Sequence, residues 1–424
     1  MTVLIAGAGI GGLTMALSLH QIGVPAIVFE SVPEIKPLGV GINVLPHAVR
    51  EFTELGLQEI LAENAIATSE LAYFTKRGQQ IWSERRGREA GYNWPQFSIH
   101  RGVLQMLLYE AVKLRLGADA IKANHHLTSW RETDDEIEAT FINRESGDST
   151  NAYKGDLLIC ADGVHSQARA NLHPNEGAPI WNGSILWRGV TRGAPFLTGS
   201  TMIMAGYEFV KFVCYPIHQE DNGDTLINWI AERKFDPDHE WRREDWNRPG
   251  ELSDFLPWFE DWRFDWLDIP ALIQSATHVY EYPMVDRNPL KQWSHGRMTL
   301  LGDAAHPMYP IGSNGASQAV LDARVLAREI LHHGATPMAL NRYDAERNPA
   351  TAKIVRANRG NGPEQVMQMV EDRAPDGFEN INNVLNPSEL NGVATAYKKI
   401  AGFDRDALNQ RASIVAAPVE KFTS

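Results

Sequence analysis

The chain has 424 residues, of which 43% are hydrophobic and 22% charged, and a formal net charge of −13. That length exceeds one ordinary hydrophobic core, so two lobes or a large insertion are expected. The composition fits a soluble globular protein, and the acidic balance argues against nucleic acid or an anionic membrane as partner.

Residues 2–6, Thr-Val-Leu-Ile-Ala, read as a short buried strand. No basic region precedes it, so no cleavable leader is expected, and no apolar run approaches the ~20 residues of a membrane span. The strand runs into a GxGxxG turn through Gly7, Gly9 and Gly12. A helix over 13–22 and a strand over 26–30 follow, the latter closed by Glu30. In such a unit the first glycine makes the tight turn and the second lets backbone approach a pyrophosphate. The third lets helix pack on strand. The free N–H groups at the helix start attract phosphate, and an acid at the position of Glu30 accepts from ribose hydroxyls. A dinucleotide site is therefore expected here.

Gly39, Val40 and Gly41 would let backbone pass close to something flat or bulky. A helix over 46–56, paired strands over 71–74 and 80–82 and a polar loop over 85–95 come next. The helix expected over 102–116 places Val103, Leu104, Leu107, Leu108 and Val112 on one face. Arg101 stands at its entry, where a guanidinium could reach a phosphate. A polar β-meander over 127–154 leads to the buried strand 156–161, which ends in Asp162-Gly163. Cys160 and Cys214 make neither a CxxC pair nor a metal cage. A cytoplasmic enzyme with reduced thiols, no metal and a bound redox cofactor is the expectation.

From Ile185 the chain turns aromatic and β-rich, as an antiparallel sheet inserted between nucleotide-domain pieces. Trp229, Trp241, Trp246, Trp258, Trp262 and Trp266 crowd this half and read as core packing. Residues 280–285 form a further strand. A third glycine–aspartate signature then appears: the strand 297–301 ends in Gly302-Asp303, a loop reaches Pro310, and Gly312, Asn314, Gly315 and Ala316 open a helix running to about residue 333. Exposed N–H groups at that start would stabilise an anion. His306 reads as structural. A helix over 337–359 is expected to break at Pro349, with helical stretches near 364–370 and 392–400.

The three signatures in this order resemble the class A, p-hydroxybenzoate-hydroxylase-like, flavin monooxygenases. The resemblance runs from residue 1 to about 359 and is closest in wording to the bacterial phenazine-modifying hydroxylases. Its carriers include Pro37 to Asn43, Ser98 to Gly102, Trp187 to Thr191, Tyr282 to Arg287 and Met308 to Ala319. It implies an α/β fold: a Rossmann-like (GR2-type) FAD-binding domain from 1–72, 98–180 and 280–360. It further implies an inserted antiparallel substrate sheet from 73–97 and 181–279, with a helical extension over 361–424.

By the same resemblance Gly7, Gly9, Gly12 and Glu30 would hold the ADP half of FAD. Arg101 would reach its phosphate or ribityl region, Asp162 the pyrophosphate region and Asp303 the ribityl or pyrophosphate oxygens. Pro310, Gly312, Asn314, Gly315 and Ala316 would meet the pyrimidine edge of the flavin, and Gly39, Val40 and Gly41 would pass beside the ring. Trp187, Met204, Phe212, Tyr215 and Met284 are candidate substrate contacts. The implied reaction hydroxylates a planar (hetero)aromatic small molecule with NAD(P)H and O₂, through a C4a-hydroperoxyflavin. Catalysis would be flavin-centred, with no catalytic side chain. The alternative is a flavin dehydrogenase or reductase without oxygen insertion. Monomer and homodimer are both left open.

Overall fold

Three parallel strands form the centre of the molecule. In the computed structural model, Val3–Ala6 pairs with Leu157–Cys160, and Leu157–Cys160 pairs with Met298–Leu300. They lie in a six-stranded sheet with Ala26–Phe29 and Ile121–Lys122 on one side and the short Ser294–His295 on the other. Residues 237, 242–247, 361–363, 387, 390–391, 393–397 and 416–424 are not described; all others are.

Both faces of this sheet are covered, which is why its strands read as unbroken apolar runs. The helices Ile10–Gln21, Arg101–Leu116, Gly315–His333 and Pro337–Asn358 pack in succession, each against the next or against the first. An antiparallel meander of His126–Glu132, Ile137–Ile142 and Tyr153–Gly155 lies beside Phe29, whose ring stacks on Phe141 at 4.2 Å. No helix among the described residues is long and apolar enough to cross a membrane.

A second, seven-stranded sheet runs in the order Val279–Asp286, Ile180–Gly193, Thr225–Lys234, Val210–Gln219, Thr201–Gly206, Glu70–Phe74, Gln80–Arg85. It is antiparallel except where Thr201–Gly206 runs parallel to Glu70–Phe74. The boundaries expected at 72/73, 180/181 and 279/280 thus fall inside or beside its strands. Hydrogen bonding, not local composition, recruits Glu70–Phe74, Ile180 and the whole of Val279–Asp286 to this sheet. A small sheet of Gly41–Val44, Phe97–His100 and Ile66–Ala67 bridges the two.

Alternation along the broad sheet sends neighbouring side chains to opposite faces. One face, called the far face here, carries Trp229, Phe255, Phe259 and Trp262 in a dense apolar layer. Trp266 packs at the edge of that layer, while Trp258 remains 46% exposed. Trp241 stacks instead on Trp181, and Trp246 lies outside the described residues. The other, near face turns toward the third motif. It places Leu186, Tyr282 and Met284 against Tyr309 and Ile311, and Met202, Met204 and Tyr215 against Val366, Met367 and Val370 of the helix Gln365–Arg373.

The break expected at Pro349 does not occur: Pro337–Asn358 is one helix of 22 residues. Burial of Tyr343, Ile354 and Val355 on both sides of the proline holds it together. Of the stretch expected over 392–400, residues 393–397 lie outside the described residues.

Candidate functional site

The glycine turn shows where space is filled and where it is kept open. Gly7 has φ +106°, and a Cβ there would lie 2.3 Å from the Ala161 carbonyl oxygen. A Cβ on Gly12 would lie 2.0 Å from the Gly7 oxygen. These two glycines serve packing of the turn itself. A Cβ on Gly9 would meet nothing within 4 Å, so protein packing does not require a glycine there. The helix starting at Ile10 has no side-chain cap, and its leading N–H groups are available to an anion. Glu30 reaches back to the turn: its Oε2 accepts from the Ala8 N–H at 2.9 Å.

The first and third motifs meet at one junction, because a Cβ on Gly11 would strike Leu301 and Ala319. Asp303 is exposed between buried Gly302 and Ala304, and no hydrogen bond from the described residues occupies its carboxylate. Asp162 is more enclosed. Its Oδ2 accepts from the Gln167 N–H at 2.8 Å, its Oδ1 is buried without a partner, and burial pushes its pKa up.

Two buried residues brace these aspartates. Arg169 donates to the carbonyls of Ala304 and Ala305 at 3.0 and 2.8 Å, tying the second motif to the third. His306 Nε2 lies 2.5 Å from Asp322 Oδ2, which also accepts from the Gly302 N–H. Burial alone would raise the Asp322 pKa, but His306 and Arg347 more than offset it and hold the group charged. His306 is therefore built into the wall behind the turn.

The segment around Gly39 is drawn against the third motif and the near face together. Gly39 has φ +103° and faces the Arg101 side chain, while the Arg101 N–H donates to the Val40 oxygen at 2.8 Å. The Gly41 N–H donates to Asn228 Oδ1 at 2.7 Å, and Arg188 Nη2 donates to the Gly41 oxygen at 2.8 Å. Leu45 N–H reaches Ser317 Oγ at 3.2 Å. Opposite, Gly312 and Ser313 both take left-handed φ, +69° and +54°. Pro310 is exposed and Ala316 half-buried at either end of this turn, and Gly315 starts the helix. Asn314 is fully buried with its Nδ2 unpartnered.

The five candidate substrate contacts are split by the sheet. Met204, Tyr215 and Met284 lie on the near face. Trp187 and Phe212 do not: Trp187 stacks on Phe255 at 5.0 Å, and Phe212 packs on Phe259 at 5.8 Å, both within the far-face layer. They are corrected to core residues, because each sits one register step from a near-face position. The positions beside them carry the near-face groups that the sequence reading missed, Leu186 and Arg188. Asn228 and Tyr282 were missed as well. The available signal for Leu186 was its i, i+2 spacing from Arg188, not aromatic character. Arg188 lies beside the Tyr215 hydroxyl, whose pKa burial pushes up to about 12. A separate concavity of about 710 Å³, lined by Tyr207, Arg233, Phe235 and Trp258 among others, holds none of these residues.

The residues present fit FAD. The open room at Gly9, the free carboxylate of Asp303 and the unpartnered amides of Asn228 and Asn314 are polar or vacant features that the protein itself does not use.

Comparison with known proteins agrees. Residues 1–248 and 264–358 match the family described as FAD binding domain. The chain is 46% identical to phenazine 1,6-dicarboxylic acid hydroxylase PhzS of Lysobacter antibioticus over 361 residues, covering 84% of this chain and 89% of that protein. It is 32% identical over 355 residues to the aurachin C monooxygenase/isomerase of Stigmatella aurantiaca, covering 82% and 85%. In three dimensions it resembles a salicylate hydroxylase substrate complex, with a TM-score of 0.73, 21% identity and 99% of both chains covered. The chain belongs to the FAD binding domain family, in its branch of FAD-dependent aromatic monooxygenases.

Proposed function

We propose that this protein hydroxylates a planar, carboxylated heteroaromatic ring of phenazine type, using NAD(P)H and O₂, in the space between the Gly312 turn and the near face of the broad sheet. The observation that carries this reading is convergence. Strand ends bearing Gly7, Asp162 and Asp303 open on one edge of the central sheet, and the broad sheet meets the third motif where Leu186, Tyr282 and Met284 pack on Tyr309 and Ile311. The substrate class is supported by likeness to the phenazine dicarboxylic acid hydroxylase.

FAD, when bound, supplies hydride acceptance from NAD(P)H and activation of O₂. The chain's own residues orient and enclose. Leu186, Met204, Tyr282 and Met284 exclude water and favour a flat apolar guest. Arg188 donates to the Gly41 carbonyl and keeps its Nε buried without a partner, so it can receive a substrate carboxylate. Helix-start amides at Asn314 to Ala316 would favour negative charge on a ring edge bound beside them. Two buried free thiols, Cys160 and Cys214, suit a reducing compartment such as the cytoplasm.

The test is turnover of phenazine-1,6-dicarboxylate under ¹⁸O₂ with NADH and with NADPH. One labelled oxygen in the product is expected. Oxidised product without label would establish the dehydrogenase alternative, and colourless protein that takes up no FAD would refute the whole reading. Gly9→Val should abolish FAD uptake in a folded protein, since the added branch fills the room left at that turn.

A further inference from the structure

Behind the third motif lies a helix that the hydroxylation reading leaves unused, Pro337–Asn358. It bonds the motif near both ends. The Tyr343 hydroxyl donates to the Leu300 oxygen at 3.1 Å, just before Gly302-Asp303. Asn358 Nδ2 donates to the Tyr309 oxygen at 2.9 Å, just before the Gly312 turn. The helix runs unbroken through Pro349, so these side chains keep one register.

Between them, Arg347 has two arms. Its Nε donates to Asp322 Oδ1 at 2.7 Å, and its Nη2 donates to Gln318 Oε1 at 2.6 Å. Gln318 and Asp322 stand four residues apart on the helix Gly315–His333 and so share one face, within the span of one planar guanidinium. Each passes the contact to a different end of the motif. Asp322 Oδ2 accepts from the Gly302 N–H at 3.2 Å. Gln318 Nε2 donates to Asn314 Oδ1 at 3.2 Å and to the Ala401 oxygen at 3.1 Å. The order of these bonds is fixed, because arginine only donates. Gln318 must turn its oxygen to Arg347 and its amide hydrogens to Asn314 and Ala401. Arg347, Asp322, Gln318 and Asn314 are all buried, where bonds are costly to leave unmade.

We propose that Arg347 is a positioning residue that registers the two ends of the third motif against each other. It holds the Gly302–Asp303 strand end through Asp322, and the Asn314 helix start through Gln318. This rests on the reading that FAD lies against both ends, with its ribityl or pyrophosphate oxygens at Asp303 and its ring edge at the helix start. The two arms then govern different properties of bound FAD. The Asp322 arm sets affinity, and the Gln318 arm sets the surroundings of the ring.

The experiment compares the parent with Q318L, D322N, R347M and the double variant Q318L/R347M. Three quantities are read: FAD affinity, the visible spectrum of the FAD-loaded protein, and thermal unfolding without FAD. Q318L should move the visible band and keep FAD affinity within about threefold. D322N should bind FAD about tenfold more weakly and leave the band in place. R347M should do both, and adding Q318L to it should move the band no further, since one path carries both changes. Lower melting temperatures with affinity and spectrum unchanged would make the network merely structural and overturn the proposal. Band shifts that add in the double variant would overturn it too. If R347M does not fold, Q318L and D322N still decide, since each must alter its own readout and spare the other. A parent that takes up no FAD would strike the reading beneath, and the proposal with it.

Discussion

Trp187 and Arg188 are neighbours in one strand, and they belong to different parts of the molecule. Trp187 is sealed in the far-face layer against Phe255; Arg188 crosses to the near face and grips the Gly41 carbonyl. The far face is mainly apolar packing, from Phe212 and Trp229 to Phe259, with Thr191 accepting from the Trp229 indole N–H at 3.0 Å. The near face mixes apolar side chains with Arg188 and Asn228, which bond the Gly41 backbone, and with the Lys211–Glu232 ion pair. The same strands therefore build an aromatic layer on one side and, on the other, a mixed surface that bonds the Gly41 backbone. Tryptophan content marks the first, and isolated buried polar groups mark the second.

Truncating the far face should have the largest effect. Trp187→Ala should cost about 3–5 kcal/mol of unfolding free energy in urea titration, while the folded fraction keeps the parent KM. A stable variant with a sharply raised KM would mean the two faces are assigned the wrong way round.

Acid sensitivity should come from the polar side. His47, buried beneath the Asn314 turn, has its pKa lowered to about 3, first by burial and then by Arg411 and Arg347. Its unfolded value is near 6.5, so the unfolded chain binds the extra proton first. Stability should be fully present above about pH 6.5 and fall steadily toward pH 3, and His47→Gln should flatten that slope in pH-dependent melting. An unchanged slope would place the acid-labile element elsewhere.

Asp303→Ala should weaken FAD binding about tenfold, close to 1.4 kcal/mol, by removing one acceptor at the open end of the third strand. Equal FAD retention would leave Asp303 as a strand terminus only. Arg188→Met should raise KM about tenfold for a carboxylated phenazine and change it little for unsubstituted phenazine. Equal losses for both ligands would deny Arg188 the anion-binding role. The smallest shift is expected from Met204→Ala, which should alter KM by about twofold to threefold, since a flexible thioether floor can repack.

Much of this protein is legible because its decisive signals are local. Strand, GxGxxG turn and helix are contiguous, and each glycine's role follows from chain geometry within a dozen residues. The order of three such signatures carries the family and the cofactor. What fails in the sequence reading fails wherever the partner is distant. Period-two alternation divides residues 186–190 into two sets, but only the sheet's neighbours decide which set meets the Gly312 turn. Trp187 and Phe212 were misassigned for that reason. Pro349 was read as a break because its effect on its own turn is local, whereas packing on both sides keeps the helix whole. Glu364 gave no signal, since its ion-pair partner Lys211 lies 153 residues away.

The amino-acid order by itself determined the nucleotide-binding turns, the α/β class and the family, because these depend on residues adjacent in the chain. Only the tertiary structure decided which face of the broad sheet carries the aromatic layer and which turns toward Tyr309 and Ile311, and that Glu364 pairs with Lys211. Those outcomes depend on burial and on pairings between segments that no local pattern encodes.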